Sequence, residues 1–331
     1  MARTNVIIPF YQREPGILPV AVKSALAQGD DDLLVTVVDD GSPVSARAEL
    51  ADIIAHDRRL VIIEQANAGP GAARNRGLDA TPDDVEYIAF LDSDDRWLPG
   101  HLANGITALR AGAALYFSDY STQPPHWRGI TDSLFSICGF NDSAGIPIEG
   151  TEDLFFYKGD FLESLLIRRG FIATPTVIID RSVAPSLRFP VGLISSEDTY
   201  FWLALVQRKK SVAFSTCCEV VLGAGVSISG AAGWGSPLAL KSVFHEASAW
   251  SLIATDIALN ADQVQRIGNK LGDLRVNFAA NLLHLLRRGQ PVDWQVVAAY
   301  LRSDPRLIGD IVTALGKGAL RLVRGGGEPE P

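Results

Sequence analysis

Two carboxylates one residue apart, Asp92 and Asp94, follow directly on an apolar run at residues 87–91. An extended chain sends every second side chain to the same side, so both carboxylates face one way and can share a hard cation. Mg²⁺ and Mn²⁺ prefer such oxygen ligands and keep positions open for water and substrate phosphates. Read in isolation, Asp92-Ser93-Asp94-Asp95 also describes a solvated acidic turn. A second acidic pair, Glu197-Asp198, opens a segment carrying Tyr200, Phe201, Trp202 and Leu205. A carboxylate there suits a general base, although a helix N-terminus also favours negative charge for electrostatic reasons alone.

These pairs need a scaffold, and residues 1–100 alternate strand and helix patterns. Residues 6–8, 33–38, 60–63 and 87–91 read as buried strands, and 17–28, 50–55 and 71–78 as helical segments between them. Near-continuous apolar strands separated by helices imply a mostly parallel sheet covered on both faces, with ligands at the carboxyl ends of the strands. Pro9-Phe10-Tyr11-Gln12 follows the first strand and Asp39-Asp40-Gly41-Ser42 the second. Asn67-Ala68-Gly69-Pro70-Gly71-Ala72-Ala73-Arg74-Asn75 follows the third, and the acidic cluster the fourth. A dinucleotide fold needs G-x-G-x-x-G after its first strand and a P-loop needs G-x-x-x-x-G-K-[ST]; neither occurs. Beyond Pro99, residues 101–110 read as helix, 114–119 and 176–179 as strands, and 121–150 as a long irregular insertion.

Composition narrows the partners. The 331 residues carry a net charge of −8, which excludes a nucleic-acid binder that relies on phosphate neutralisation. Cys138, Cys217 and Cys218 make an odd number with two adjacent, which fits a reducing compartment. No Cys/His spacing suggests zinc, and no signal peptide is visible at the start, so the cytoplasm is the expected location. Residues 220–240 carry no charge over 21 positions, but nine are Gly, Ser or Pro, so loop and turn are expected there rather than a membrane span.

The motifs resemble those of family 2 glycosyltransferases with the GT-A fold. The resemblance rests on Val6-Ile7-Ile8-Pro9-Phe10-Tyr11, Val37-Val38-Asp39-Asp40-Gly41-Ser42, the Asn67 to Asn75 run quoted above, Tyr87-Ile88-Ala89-Phe90-Leu91-Asp92-Ser93-Asp94-Asp95, and Glu197-Asp198. It covers residues 4–230. Tyr11-Gln12-Arg13-Glu14-Pro15-Gly16 and Asp304-Pro305-Arg306-Leu307-Ile308 further resemble the ExoW type of exopolysaccharide glucosyltransferase, which serves succinoglycan assembly. The resemblance implies an α/β GT-A catalytic domain over residues 1–235, a Rossmann-like mixed sheet with helices on both faces. Residues 1–100 would form its nucleotide-binding half and 101–235 its acceptor half. Residues 236–331 would form a helical extension ending in a disordered tail at 325–331.

The resemblance also implies residue roles. Pro9 and Tyr11 border the nucleotide base, with the Tyr ring as a stacking surface. Asp40 accepts from the uracil N3–H, Asp39 holds the turn, and Gly69 lets the loop approach the nucleotide. Arg74 stands near the base or diphosphate as a charge partner. Asp92, Ser93 and Asp94 complete the UDP-sugar site, with Asp92 and Asp94 holding Mn²⁺ or Mg²⁺. Asp198 matches the family's general base, and Glu197 orients it or binds the acceptor. The implied activity is inverting, metal-dependent transfer of a hexose, glucose from UDP-glucose first, to a lipid-linked oligosaccharide. One departure is the stretch Gly223-Ala224-Gly225-Val226-Ser227-Ile228-Ser229, which lacks a histidine that many relatives carry for the metal.

Two other readings make different demands. A sugar nucleotidyltransferase needs a Gly-rich, Arg/Lys-bearing loop after the first strand, where Pro9-Phe10-Tyr11 stands; a non-catalytic saccharide-binding subunit has no need of Asp94 and Asp198. At the far end, residues 302–324 carry Arg302, Arg306, Lys317, Arg321 and Arg324 against Asp304 and Asp310. With Ile311, Leu315, Ala319, Leu322 and Val323 interleaved, the segment suits either contact with an anionic membrane surface or packing in a homodimer. The first use would make the protein peripheral on the cytoplasmic face.

Overall fold

The computed structural model describes residues 3–29, 32–122, 135, 140–167, 172–223 and 233–323, without the side chains of 316–323. The expected disordered tail, the end of the basic segment, Cys138, most of the 223–229 loop, and residues 123–134 and 136–139 of the 121–150 insertion lie outside the described residues. The chain divides into two compact units, one of Met1–Gly192 with Glu197–Val226 and one of Leu193–Ser196 with Ser227–Pro331.

The first unit is built on a mixed sheet. Its strands are β1 (Arg3–Phe10), β2 (Leu33–Asp39), β3 (Leu60–Glu64), β4 (Val85–Phe90), β5 (Arg96–Trp97), β6 (Leu115–Ser121), β7 (Gly145–Pro147), β8 (Leu154–Tyr157), β9 (Ile178–Asp180) and β10 (Val212–Val221). Among the described residues they lie in the order β3-β2-β1-β4-β9-β6-β10-β8-β7, with β5 paired to β10. β3, β2, β1 and β4 run parallel, as the alternating sequence pattern implies. The later strand expected at 176–179 is β9, which runs antiparallel between β4 and β6, so the sheet is mixed.

The helices of this unit are α1 (Leu18–Leu26), α2 (Ala46–Glu49), α3 (Ala51–His56), α4 (Pro70–Asp79), α5 (His101–Arg110), α6 (Phe161–Ile167) and α7 (Glu197–Arg208). The two-residue period of β1 sorts its side chains. Val6, Ile8 and Phe10 share a core with Leu18, Ala21, Val22 and Ala25 of α1. Ile7 points the other way, toward α4, where Gly77 leaves no room for a side chain: a Cβ there would stand 2.5 Å from Ile7 Cγ2. On β4, Phe90 packs edge-on against Phe189 at 5.4 Å and Trp202 at 5.4 Å, while Phe189 stacks on Phe201 at 4.1 Å. This aromatic cluster fixes α7 on the sheet, and with it the Glu197-Asp198 pair. Trp202 is fully buried and belongs to the core.

The second unit is helical, with α8 (Pro237–Asp256), α9 (Ala261–Arg287), α10 (Trp294–Ser303) and α11 (Leu307–Val323). α9 starts at a capping box between Asn260 and Gln263. Arg275 donates to Asp304 at 3.0 Å and to Asp310 at 3.0 Å, and Asp304 also accepts from Arg306 at 2.7 Å. The Asp304-Pro305-Arg306 motif is thus a brace at the α10–α11 junction.

Candidate active site

Two aspartates at the end of β2 organise the loops after β2 and β3. Asp39 accepts from the backbone N–H of Ser42 at 2.8 Å and of Ala46 at 3.0 Å, which holds the turn after β2 as expected. Asp40 Oδ1 accepts from Gln65 Nε2 at 2.7 Å and Ala68 N at 2.8 Å, and its Oδ2 from Gly69 N at 2.8 Å. Its carboxylate therefore shapes the 65–69 loop, a task the sequence reading did not give it. Gly69 adopts φ 91°, a conformation that favours glycine, at the N-cap of α4. Pro9 is half-buried and Tyr11 is 36% exposed, so the Tyr ring keeps an open face at the end of β1.

The acidic cluster keeps the alternation read from the sequence even though it lies past the end of β4. Asp92 and Asp94 are half-buried, while Leu91, Ser93 and Asp95 are buried. Ser93 Oγ accepts from Gln12 Nε2 at 3.2 Å, and the Gln12 backbone N–H donates to Ser42 Oγ at 2.9 Å. Gln12 thus ties the ends of β1, β2 and β4 together. It lay inside the quoted Tyr11-Gln12-Arg13 motif, but nothing in its spacing distinguished it. Asp95 accepts from the Gly223 N–H at 2.8 Å, and a Cβ on Gly223 would stand 1.7 Å from the Asp94 carbonyl oxygen. Only glycine lets the chain leaving β10 cross the acidic cluster so closely.

Arg74 joins the two acidic motifs. Its Nη2 donates to Asp92 Oδ1 at 2.7 Å and its Nη1 to Glu197 Oε1 at 2.9 Å, across 18 and 123 residues of sequence. The Arg74 side chain is 5% exposed, and its guanidinium lies 5.5 Å from the centre of the Phe189 ring. Burial works against the charge, but Asp92 and Glu197 outweigh it and hold Arg74 firmly protonated. Arg74, expected beside the base or diphosphate, has these donors on carboxylates. Glu197, expected at the acceptor or on Asp198, is buried with its carboxylate turned to Arg74. A small residue makes the approach possible, since a Cβ on Gly71 would stand 3.0 Å from the Pro190 carbonyl and 3.3 Å from Glu197 Cγ.

Asp198 faces a different environment. It is half-buried; its Oδ2 accepts from Thr174 Oγ1 at 2.9 Å and its Oδ1 from the Thr199 N–H at 2.6 Å. The Thr199 hydroxyl also reaches Oδ1 at 3.4 Å, which leaves one lone pair in the count for a further donor such as an acceptor hydroxyl.

The charges of the site are not balanced. Burial, then Asp92 and Asp94, push the Asp95 carboxyl up to about 8 against the pull of the Gly223 N–H. This crowding fits a divalent cation: Asp92 and Asp94 offer hard oxygen donors on one side, and a positive ion would relieve the repulsion. Among the described residues no group of three or more His, Cys, Asp and Glu is arranged to hold an ion. The protein's share would therefore be the two aspartates, leaving positions for phosphates and water.

Burial, then Asp198, also push the Glu197 carboxyl up to about 7 from an ordinary 4.5, against Arg74. Between those values the folded chain binds more protons than the unfolded one, so this group makes stability fall as pH rises. Melting temperatures of the protein should drop between about pH 5 and about pH 8, and Glu197→Gln should flatten that slope. An identical slope in the variant would contradict the placement of Glu197.

The geometry can be set beside known proteins. The family model for glycosyl transferase family 2 matches residues 5–143. Along almost the whole chain, 31% identity over 326 residues relates it to the succinoglycan biosynthesis protein ExoW of Rhizobium meliloti, covering 96% of this chain and 99% of that one. The chain belongs to glycosyl transferase family 2. It is a glycosyltransferase, and its catalytic unit has the GT-A fold. Two solved structures share that fold at low identity. One is the S. aureus TarS fragment 1–349 in complex with UDP-GlcNAc, with a TM-score of 0.56 at 17% identity, covering 93% of this chain and 81% of the other. The other is the Pyrobaculum calidifontis mannosyltransferase PcManGT in complex with GDP-Man and Mn²⁺, with a TM-score of 0.55 at 15% identity, covering 95% and 87%. In this glycosyltransferase the two carboxylate motifs are linked through one buried arginine.

Proposed function

We propose that the enzyme transfers a hexose from a UDP-sugar, UDP-glucose first among them, to a growing saccharide in exopolysaccharide assembly, with inversion to a β-linkage. The observation that carries this reading is the Asp92–Arg74–Glu197 bridge, which holds the Asp92–Asp95 motif and the Glu197-Asp198 motif on one scaffold. The name of the Rhizobium relative supports the exopolysaccharide setting, and the TarS complex supports a UDP-linked donor. The lipid-linked form of the acceptor rests on the resemblance read from the sequence.

In this reading Tyr11 and Pro9 border the base, and the loop shaped by Asp40 and Gly69 closes on the nucleotide. Asp92 and Asp94 would hold Mn²⁺ or Mg²⁺, which when bound supplies neutralisation of charge growing on the departing diphosphate. Asp198 takes the proton of the acceptor hydroxyl as its oxygen attacks the anomeric carbon and UDP departs on the opposite side. Glu197 and Arg74 act by fixing the two motifs. A UDP-release assay over a panel of UDP-sugars, with and without Mn²⁺ or Mg²⁺, tests the reading. UDP release should be abolished by chelation and restored by either ion; full activity after chelation would contradict the metal site, and pyrophosphate release would indicate nucleotidyl transfer.

The same reading places the enzyme at a membrane surface through α11. Ile308, Val312 and Leu315, at helical spacing, are 57%, 62% and 50% exposed. No helix among the described residues is long and apolar enough to cross a membrane. Val312→Asp should reduce co-sedimentation with anionic vesicles, and unchanged sedimentation would remove this part of the proposal.

A further inference from the structure

We propose that Thr174 is a positioning residue for transfer, setting the orientation of Asp198 and its distance from the acidic cluster. The proposal rests on the reading of Asp198 as the base. Thr174 is buried, and its hydroxyl donates to Asp198 Oδ2 at 2.9 Å, while the Thr199 N–H holds Oδ1 at 2.6 Å. With Thr174 on Oδ2 and the Thr199 N–H and hydroxyl on Oδ1, the carboxylate plane is fixed and the lone pair left over points in a set direction. A freely turning carboxylate would lose part of the advantage of a positioned base.

The turn that carries Thr174 is itself fastened on both sides of the acidic cluster. It is a short 3₁₀ segment, Thr174–Thr176, closed by Thr176 N donating to Ala173 O at 3.0 Å and Val177 N to Thr174 O at 3.1 Å. The Phe90 N–H, two residues before Asp92, donates to Val177 O at 3.1 Å. The buried Trp97 indole, two residues after Asp95, donates to Pro175 O at 2.7 Å. A single turn therefore grips the chain before and after Asp92–Asp95 and holds the proposed base with its first side chain. No spacing in the sequence marks Thr174, because its partners are Asp198 and a loop far upstream.

The test is Thr174→Val, which keeps the side-chain shape and removes the donor, beside Thr174→Ser, which keeps the donor. Both are assayed as full-length protein with the UDP-sugar that gives the fastest UDP release. For Thr174→Val, kcat should fall about 10- to 100-fold with KM for the donor unchanged, and Thr174→Ser should recover most of the rate. Parent-like kcat in Thr174→Val would overturn the proposal. So would a Thr174→Ser as slow as Thr174→Val, or a Thr174→Val that loses donor binding, since that marks a folding role. Asp198→Asn, run alongside, separates the two layers. If it turns over like the parent, the base reading fails and this proposal with it. If it is inactive while Thr174→Val is parent-like, the proposal alone fails.

Discussion

Asp198→Asn should lower kcat by about 10²- to 10⁴-fold, the usual worth of a positioned general base. Donor affinity should stay at the parent value, because the hydrogen bonds to Asp198 come from Thr174 and Thr199 and not from the β1, β2 or β4 ends where the nucleotide is proposed to sit. The amide of Asn can occupy the same space and keep contacts to Thr174 and Thr199, but it cannot take the acceptor's proton. Steady-state UDP release gives kcat, and calorimetric titration with the UDP-sugar gives affinity. A variant within a few-fold of the parent rate would remove Asp198 from the chemistry and leave the fold without an assigned base.

Arg74→Met should be the most destabilising substitution in the site. Removing the guanidinium leaves Asp92 and Glu197 without their shared partner, with the Glu197 side chain 7% exposed. Breaking a buried ion pair from one side costs about 3–5 kcal/mol. For a unit of this size that corresponds to a melting temperature lower by about 10 °C. Arg74→Lys should not rescue it, since one ammonium cannot reproduce a planar fork that reaches two carboxylates at once. Adding Glu197→Gln to Arg74→Met should recover part of the loss only at alkaline pH, because without Arg74 the buried Glu197 carboxyl holds its proton at neutral pH. A single variant that melts with the parent would show that the bridge does not hold the site together.

How far the sequence could be read depended on the range of the physical signal. The parallel half of the sheet was legible because strand and helix periods repeat locally in residues 6–90. The side-by-side exposure of Asp92 and Asp94 followed from a two-residue period that survives past the strand end. Asp39 at the turn after β2 was likewise a local matter, with Ser42 and Ala46 three and seven residues away. Arg74 was not legible in the same way: its charge suggested a phosphate partner, whereas folding brought Glu197 to it from 123 positions away. Thr174, Gln12 and Gly223 escaped for the same reason, since each acts on a residue far from it in sequence. The antiparallel insertion of β9 between β4 and β6 depends on tertiary pairing that a three-residue strand cannot announce.

The basic C-terminal segment shows the opposite lesson. Counted along the chain, Asp304 and Asp310 offset two of its positive charges; in the fold Asp304 does pair with Arg306, but both aspartates are also held by Arg275 on α9. Charge read along a segment therefore misjudges its surface when the partner lies on another helix. Ile308, Val312 and Leu315 are the exposed apolar residues of that segment.

Transfer assisted by one base in a single displacement must invert the anomeric centre, so the configuration of the product decides between inversion and retention. The enzyme is given an α-linked UDP-hexose, the metal ion and a saccharide acceptor, and the new anomeric centre is followed by NMR from the first turnovers. A β-configured product, formed together with UDP, is the expected result. An α-configured product would contradict the account, because retention cannot arise from a single displacement assisted by Asp198 alone.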